Sequence, residues 1–358
     1  MPRGKSADAR SLLKHLTLLN GAAGFEQPVA AAVRRLLAGK GQVSHDRLGS
    51  VLVENKGTAA DPRVMLAAHM DEVGFLVRGI LDNGLIRFTT LGGWWAHTLP
   101  AQRVTVIGRK GEVPGIIAAV PPHHLGPAER EKLMAVKNMA IDIGAASAKE
   151  VQELGIDVGD PILPAGDWVE MANPDIVCSK AFDDRAGLAM MIEVMRRLGR
   201  HPNTVVATAT VQEEVGIRGA RTAVTLARPD VAVILEAPPA DDFPGCAELV
   251  QGALRKGPQI RACDPTMIPK SGLVQFFKER AAALRIPFQV AVRETGGTDA
   301  AAIHQHAQGV PSVVVGVPVR YAHSHRGLLS LTDFEQTVAL VTDVVSRLDR
   351  RTLDRLVL

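Results

Sequence analysis

Tyrosine occurs once in this chain of 358 residues, and only 9 phenylalanines and 3 tryptophans join it. With so few stacking platforms, and with Lys+Arg 41 set against Asp+Glu 38 for a formal net charge of +3, neither the aromatic surface nor the basic face of a nucleic-acid binder is expected. Cysteine is scarce too. Cys178, Cys246 and Cys263 form no CxxC pair and cannot all be disulfide-bonded, which fits a reducing compartment and leaves His and carboxylate, not thiolate, to hold any metal. No apolar run approaches the roughly 20 residues that span a bilayer. The opening MPRGKSADARSLLKHL has charge inside its apolar stretch and no cleavage site, so a cytoplasmic protein without a membrane partner is expected.

What the chain does have is an α/β rhythm. Residues 7 to 39 read as two amphipathic helices, DARSLLKHLTLLN and QPVAAAVRRLLAG, parted by Gly and Ala at 21 to 24. The strand SVLVENKG follows, then the continuous apolar run RVMLAAHMDEVGFLV, which suggests burial on both faces as in a central parallel sheet. From 78 to 165 the texture changes to short β runs (LIRFTTLGG, RVTVIGR, GEVPGIIAAV, DPILPAG) broken by Gly and Pro, with helical patterns only from PAERE to KNM and in SAKEVQELG. That stretch reads as a small β-barrel inserted into a discontinuous domain of 1–77 and 166–358. After it, helix and strand alternate to the closing LTDFEQTVALVTDVVSRL, as in a mainly parallel sheet covered by helices. The binding crevice of such a sheet lies beyond the carboxyl ends of its strands.

Those ends carry the chemistry. His69 and Asp71 close one apolar run, Glu213 and Glu214 follow NTVVATATV, Glu236 closes VAVILE, His323 sits in YAHSH, and Asp183 with Asp184 opens a helical run. Any one of them alone reads as a hydrogen-bonded structural group or a solvated turn. Together they would bury several unpaired charges at several kcal/mol each, as an order of magnitude, so cations are the better explanation. A pair of metals about 3.5–4 Å apart takes a bridging carboxylate plus two ligands each and clamps a shared hydroxide. One of the Asp183–Asp184 pair suits the bridge, His69 with Glu214 one metal, and Glu236 with His323 the other. Asp71 can then accept the second imidazole N–H of His69, and Glu213 can move a proton from water to a leaving amine.

The segments HMDEVGF, GGWWAHTLPAQRVTVIGRKGEVPGIIAAVPPHH, IDIGAAS, SKAFDDRAG, VQEEVGIRGA and GGTDAAAIHQHAQGVPSVVVGVPVRYAHS, in that order, resemble the glutamyl or tetrahedral aminopeptidases, di-zinc exopeptidases of metallopeptidase clan MH. The likeness runs from about Gly24 to the last helices. It implies an aminopeptidase-like mixed, mainly parallel sheet with a PDZ-like barrel used in dimerisation, assembly into tetrahedral dodecamers, and short peptides as substrates. It makes Asp183 the bridging ligand, with a cis peptide to Asp184; His69, Glu214, Glu236 and His323 the remaining ligands; Glu213 the general base; and Asp71 the orienting carboxylate. Two divalent ions per subunit are implied, zinc first, although His and carboxylate also suit cobalt and manganese.

The chain departs from the family in two places. Glu236 stands where family members often have Asp, a position that tends to be Glu in carboxypeptidases and deacylases of the clan, so those activities are the rival within enzymes. A non-catalytic oligomeric peptide-binding protein is the rival of another class. His325 follows His-Ser where the family usually has Pro, and a solvated role is expected for it. Gly297, Thr298 and Asp299 of GGTDA are placed near the substrate by the resemblance, while a plain helix N-cap at Thr298 or Asp299 is the alternative. His123 and His124 read as loop residues of the barrel, and Cys178 as a small buried hydrophobe.

Overall fold

The computed structural model describes residues 3–246 and 248–357. Its main sheet has eight strands, in the spatial order Gln42–His45, Val51–Lys56, Thr204–Thr210, Arg63–His69, Val231–Glu236, Ser312–Gly316, Gln259–Cys263, Gln289–Val292. The middle four are parallel to one another and buried along their length apart from Arg63. Alternation decides where their side chains go: Val64, Leu66 and Ala68 join one core, and Met65 and Ala67 join the other. The first core is packed by helices that include Arg3–Leu18, Gln27–Leu36, Phe182–Arg197, Ser271–Ala283 and Leu331–Val345. Arg218–Ala227 and Ala300–Ile303 cover the opposite face.

Between the two parts of this domain, six antiparallel strands close a barrel in the order Gly74–Ile80, Ile86–Leu91, Ala140–Asp142, Gly111–Ala118, Arg103–Gly108, Pro161–Pro164. The barrel has its own core, in which Phe75 meets Phe88 edge-on at 5.1 Å and stacks on Trp94 at 4.7 Å. Where one helical stretch from PAERE to KNM was expected, the chain makes only Pro127–Arg130 and a 3₁₀ turn at Val136–Asn138. Pro127–Arg130 is exposed throughout, and only Met134 and Val136 before Asn138 pack on the barrel core, too few to make the apolar stripe a longer helix needs. A small four-stranded sheet was not foreseen; its hairpin Val319–Arg320 and Gly327–Ser330 carries the loop that holds His323. Among the described residues, no helix is long and apolar enough to cross a membrane.

Register sets the site. Thr210 lies opposite His69 on the neighbouring parallel strand, and Ile234 lies opposite Ala67, so the tails that carry Glu213, Glu214, His69 and Glu236 leave the sheet together. Beneath them Arg185 is wholly buried and spends all five donors. Its Nε donates to Met70 O at 2.8 Å, Nη1 to Leu16 O and Leu19 O at 2.8 and 2.9 Å, and Nη2 to Gly21 O at 3.2 Å and Glu72 Oε1 at 3.5 Å. Glu72 in turn accepts from Lys180 Nζ at 2.7 Å. The guanidinium therefore joins the first helix, the end of the central strand and the helix that begins at Phe182. Arg185→Met should lower the unfolding free energy by about 3–5 kcal/mol, because it leaves the carbonyls of Leu16, Leu19, Gly21 and Met70 without this donor and Glu72 with Lys180 as its remaining cation. Urea unfolding will show this as a lower midpoint at unchanged slope, and a loss under about 1 kcal/mol would mean that the network is dispensable.

Candidate metal centre

His69 ends its strand almost fully buried, and its ring is fixed from behind: Nδ1 lies 3.1 Å from Asp71 O and 3.4 Å from Asp71 Oδ1. Nε2 is left to face Asp183 Oδ1 at 3.1 Å. Asp71 is as buried as any residue of the core, yet its carboxylate is satisfied, accepting from the backbone N–H of Glu213 at 3.0 Å and of Glu214 at 3.1 Å. It therefore ties the tail of one strand to the tail of the next. The closest atom to His69 Nδ1 is the Asp71 carbonyl, so orientation of the ring is shared between main chain and carboxylate.

Asp183 and Asp184 are joined by a cis peptide, and neither has helical φ/ψ although they open the helix Phe182–Arg197. The two side chains meet different fates. Asp184 turns into the protein, where Oδ2 accepts from His69 N at 3.2 Å and Oδ1 from Gly187 N at 3.0 Å. Asp183 faces the open side, with Oδ1 at His69 Nε2 and Oδ2 3.4 Å from His323 Nε2. One carboxylate thus presents its two oxygens to two imidazoles, the disposition a bridging ligand needs. His323 is held by the barrel, its Nδ1 lying 2.8 Å from Gly93 O, and its Nε2 is 3.3 Å from Glu214 Oε1.

All five residues expected as ligands converge, and Glu213 lies with them, Oε2 4.0 Å from His69 Nε2. Glu214 Oε1 is buried, and His323 Nε2 at 3.3 Å is an ionic contact, not a hydrogen bond to it. Single donor atoms of His69, Asp183 and Glu214, and of His69, Asp184 and Glu236, all lie within 4.8 Å of one another in each group. Glu214 groups with His69 and Asp183, as the expected pairing has it, and also stands 3.3 Å from His323. Glu236 groups with His69 and Asp184 and not with His323, because Glu236 ends the strand next to that of His69 while His323 enters from the hairpin loop.

The electrostatics fit a site built for cations. Burial first, and then the neighbouring acids, push Glu214 up to about 7 and Glu236 up to about 8, and raise Glu213 and Asp184 well above the carboxylate range. Burial also raises Asp183, but His323 and His69 outweigh it and hold Asp183 low. Burial opposes charge on His323, yet Asp183 and Glu214 lift its pKa to about 9. Without a metal, this many oxygens can coexist only by keeping protons.

Beside the cluster is a cavity of about 410 Å³, walled by Ile217, Pro238, Arg261, Arg293, Gly297 and Thr298 among others. Gly297 and Thr298 are where contact with a substrate was expected. Asp299 is not. It is buried behind the cavity wall, Oδ2 accepting from Thr210 Oγ1 at 2.5 Å, and Ala300 N at the head of the short helix donates to Thr298 Oγ1 at 3.2 Å. His325 is likewise not solvated. It is 3% exposed and packed against Trp94, and neither ring nitrogen has a partner. Burial, aided by Arg326 and Lys180, drives its pKa down to about 4, so it is a neutral ring. His123 and His124 lie exposed in a barrel loop, and Cys178 is buried, as expected. The Thr210–Asp299 pair, the Gly93 carbonyl and Arg261 were not singled out from sequence. Only the double glycine before Trp94 gave any local signal.

A mixed sheet with an inserted closed barrel and a His–carboxylate cluster at its strand ends is the framework of a peptide-bond hydrolase of the aminopeptidase class. The family model of the M42 glutamyl aminopeptidases matches residues 49–340, and the chain belongs to that family. The glutamyl aminopeptidase of Lactococcus lactis subsp. cremoris is 35% identical, over 94% of this chain and 96% of its own length. A TET aminopeptidase from the marine sediment archaeon Thaumarchaeota archaeon SCGC AB-539-E09 superposes with a TM-score of 0.95 at 43% identity, covering 99% of this chain and 100% of that one. The TET1 peptidase of Pyrococcus horikoshii, described as assembling into a tetrahedron or a large octahedral shell, gives a TM-score of 0.85 at 30% identity over 95% and 100% of the two chains.

Protons held on Glu214, Glu236 and His323 at pH 7 must leave when a divalent cation enters. Titration of metal-free protein with zinc or manganese should release on the order of one proton or more per chain, read calorimetrically as a heat that scales with the ionisation enthalpy of the buffer. A buffer-independent heat would mean that the metal binds elsewhere.

Proposed function

We propose that this aminopeptidase is a two-metal exopeptidase that removes N-terminal residues from short peptides. The observation that carries it is the carboxylate of Asp183, whose two oxygens each face a different imidazole, His69 at 3.1 Å and His323 at 3.4 Å. Asp183 would bridge, with His69 and Glu236 completing one site and Glu214 and His323 the other. Zinc suits this donor set, as do cobalt and manganese. When bound, such a pair acidifies a shared water and polarises the scissile carbonyl.

The chain's own residues do the rest. Glu213 takes the proton from the attacking water and returns it to the departing amine, a task matched to a carboxyl whose pKa burial has raised well above the ordinary range. Asp71 holds the Glu213 and Glu214 main chain and, with its own carbonyl, fixes the tautomer of His69 so that Nε2 is free to bind. The side chain of the N-terminal residue enters the cavity of about 410 Å³. On its wall Arg261 donates from Nη1 to Asp264 at 3.0 Å while its buried Nε has no partner among the described residues, which leaves a donor suited to a carboxylate. That agrees with the glutamyl specificity named for the Lactococcus relative.

Glu236 keeps a carboxypeptidase or N-acyl deacylase as the second reading, since its longer side chain alters what is offered to a free amine. An intact ligand set and base argue against a non-catalytic peptide-binding role. We assign 1–77 and 166–358 to catalysis and 78–165 to self-association, with the barrel strand Gly74–Ile80 straddling that boundary. Exposed Ile116, Val120 and Leu133 beside a barrel groove of about 780 Å³ support the second assignment, as does the shell described for the Pyrococcus peptidase.

Glu213→Gln should cut kcat on free-amine peptides by about 10²–10⁴-fold while elemental analysis still finds metal. Near-wild-type turnover would remove Glu213 from the mechanism, and cleavage of N-acetylated peptides in preference to free ones would favour the deacylase. Arg261→Met should lower the glutamyl-to-leucyl ratio of kcat/KM by about tenfold or more. An unchanged ratio in that steady-state comparison would mean that Arg261 only partners Asp264.

A further inference from the structure

A second concavity, of about 490 Å³, starts where the first one stops. It shares His323 with the cavity of the metal centre and no other lining residue. Its walls converge from three separate segments: Trp95 from the barrel, Phe243 from the loop after Val231–Glu236, and Tyr321 with Arg326 from the hairpin loop. No acidic side chain lines it, and Arg326 is tied to Gln102 Oε1 at 3.3 Å.

The aromatics here are unusual for this chain. Its single tyrosine, Tyr321, is 50% exposed and Trp95 is 63% exposed, and neither makes a side-chain hydrogen bond among the described residues. Phe243 and Tyr321 face each other with ring centroids 5.6 Å apart. Rings of this size left open side by side form a binding surface more often than they decorate a soluble face. The backbone points the same way. Tyr321 and His323 both have left-handed φ, 63° and 56°, a region that residues with a Cβ avoid unless the surroundings impose it. At the floor, buried His325 keeps two ring nitrogens without partners.

We propose that this cleft receives the residue that follows the scissile bond and selects an aromatic or bulky apolar side chain there. The assignment rests on the peptidase reading above. A peptide whose N-terminal side chain fills the first cavity has its scissile bond over the ligand cluster, and its departing portion must leave past another wall. The concavity that begins at His323 is contiguous with that point and apolar. An aromatic side chain would cover Trp95 and Tyr321 and displace water from both.

The test uses the full chain as purified, with X set to the N-terminal residue the wild type cleaves best. X-Phe-Gly should exceed X-Gly-Gly in kcat/KM by about tenfold, and X-Asp-Gly should not. Trp95→Ala and Tyr321→Ala should each reduce the X-Phe-Gly to X-Gly-Gly ratio at least about threefold, while Tyr321→Phe keeps it. Both positions are exposed enough for the alanine variants to fold. Equal turnover of X-Phe-Gly and X-Gly-Gly by the wild type would leave peptide hydrolysis standing and remove only the cleft assignment. Turnover of neither removes both. A ratio untouched by either alanine variant, with a change in assembly mass by light scattering, would give the cleft to a contact between copies and overturn the proposal.

Discussion

Crowded negative charge at the carboxyl ends of three parallel strands is the constraint on which the rest of this molecule depends. Asp71, Asp184, Glu236 and Asp299 are all buried there, with Asp183, Glu213 and Glu214 beside them. The protein does not neutralise them with a matching set of lysines and arginines. It stabilises two, Asp71 and Asp184, with backbone N–H donors, and those two become structural ties between strand ends and helix start. Burial raises Asp184, Glu213, Glu214 and Glu236 alike, and Asp183 stays low because two imidazoles face it. Geometry thus separates the acids tied to backbone N–H groups from those turned toward the open cluster.

That separation explains how much of the site was legible in the sequence. His69, Glu213, Glu214 and Glu236 were visible because each terminates an apolar run, and in a parallel sheet such termini gather on one edge whatever the strand order. Strand order itself was hidden, and with it the partners: only the adjacency of Val231–Glu236 to Arg63–His69 puts Glu236 with His69. Asp299 misled for a related reason. The resemblance places it near the substrate with a helix N-cap as the alternative, whereas it stands at the N-cap position of Ala300–Ile303 and the bond from Thr210 draws its side chain behind the wall. His325 looked solvated because its neighbours are polar, yet the packing against Trp94 is made by a residue more than two hundred positions away, which no local pattern reports. The barrel was legible as a change of texture, but the hairpin sheet was not, since strands of two to four residues carry too little periodicity.

The barrel is more than an appendage to the catalytic sheet. The segment leaving the strand Ile86–Leu91 passes so close to the metal centre that a Cβ on Gly92 would sit 2.7 Å from Val73 Cγ1 and 3.1 Å from Glu214 Oε2, and one on Gly93 3.2 Å from His323 Nδ1. Gly92 also has φ +80°, so both space and backbone demand glycine there. The carbonyl of Gly93 then accepts from His323 and fixes the ring from outside the sheet, much as the Asp71 carbonyl does for His69 from within. Each of the two imidazoles that face Asp183 is thus oriented by a main-chain oxygen, one from the α/β domain and one from the insertion. The spacing between the two rings is consequently a property of how the barrel seats on the sheet. A change in that seating would move His323 relative to His69, which makes the barrel's packing part of the geometry of this cluster.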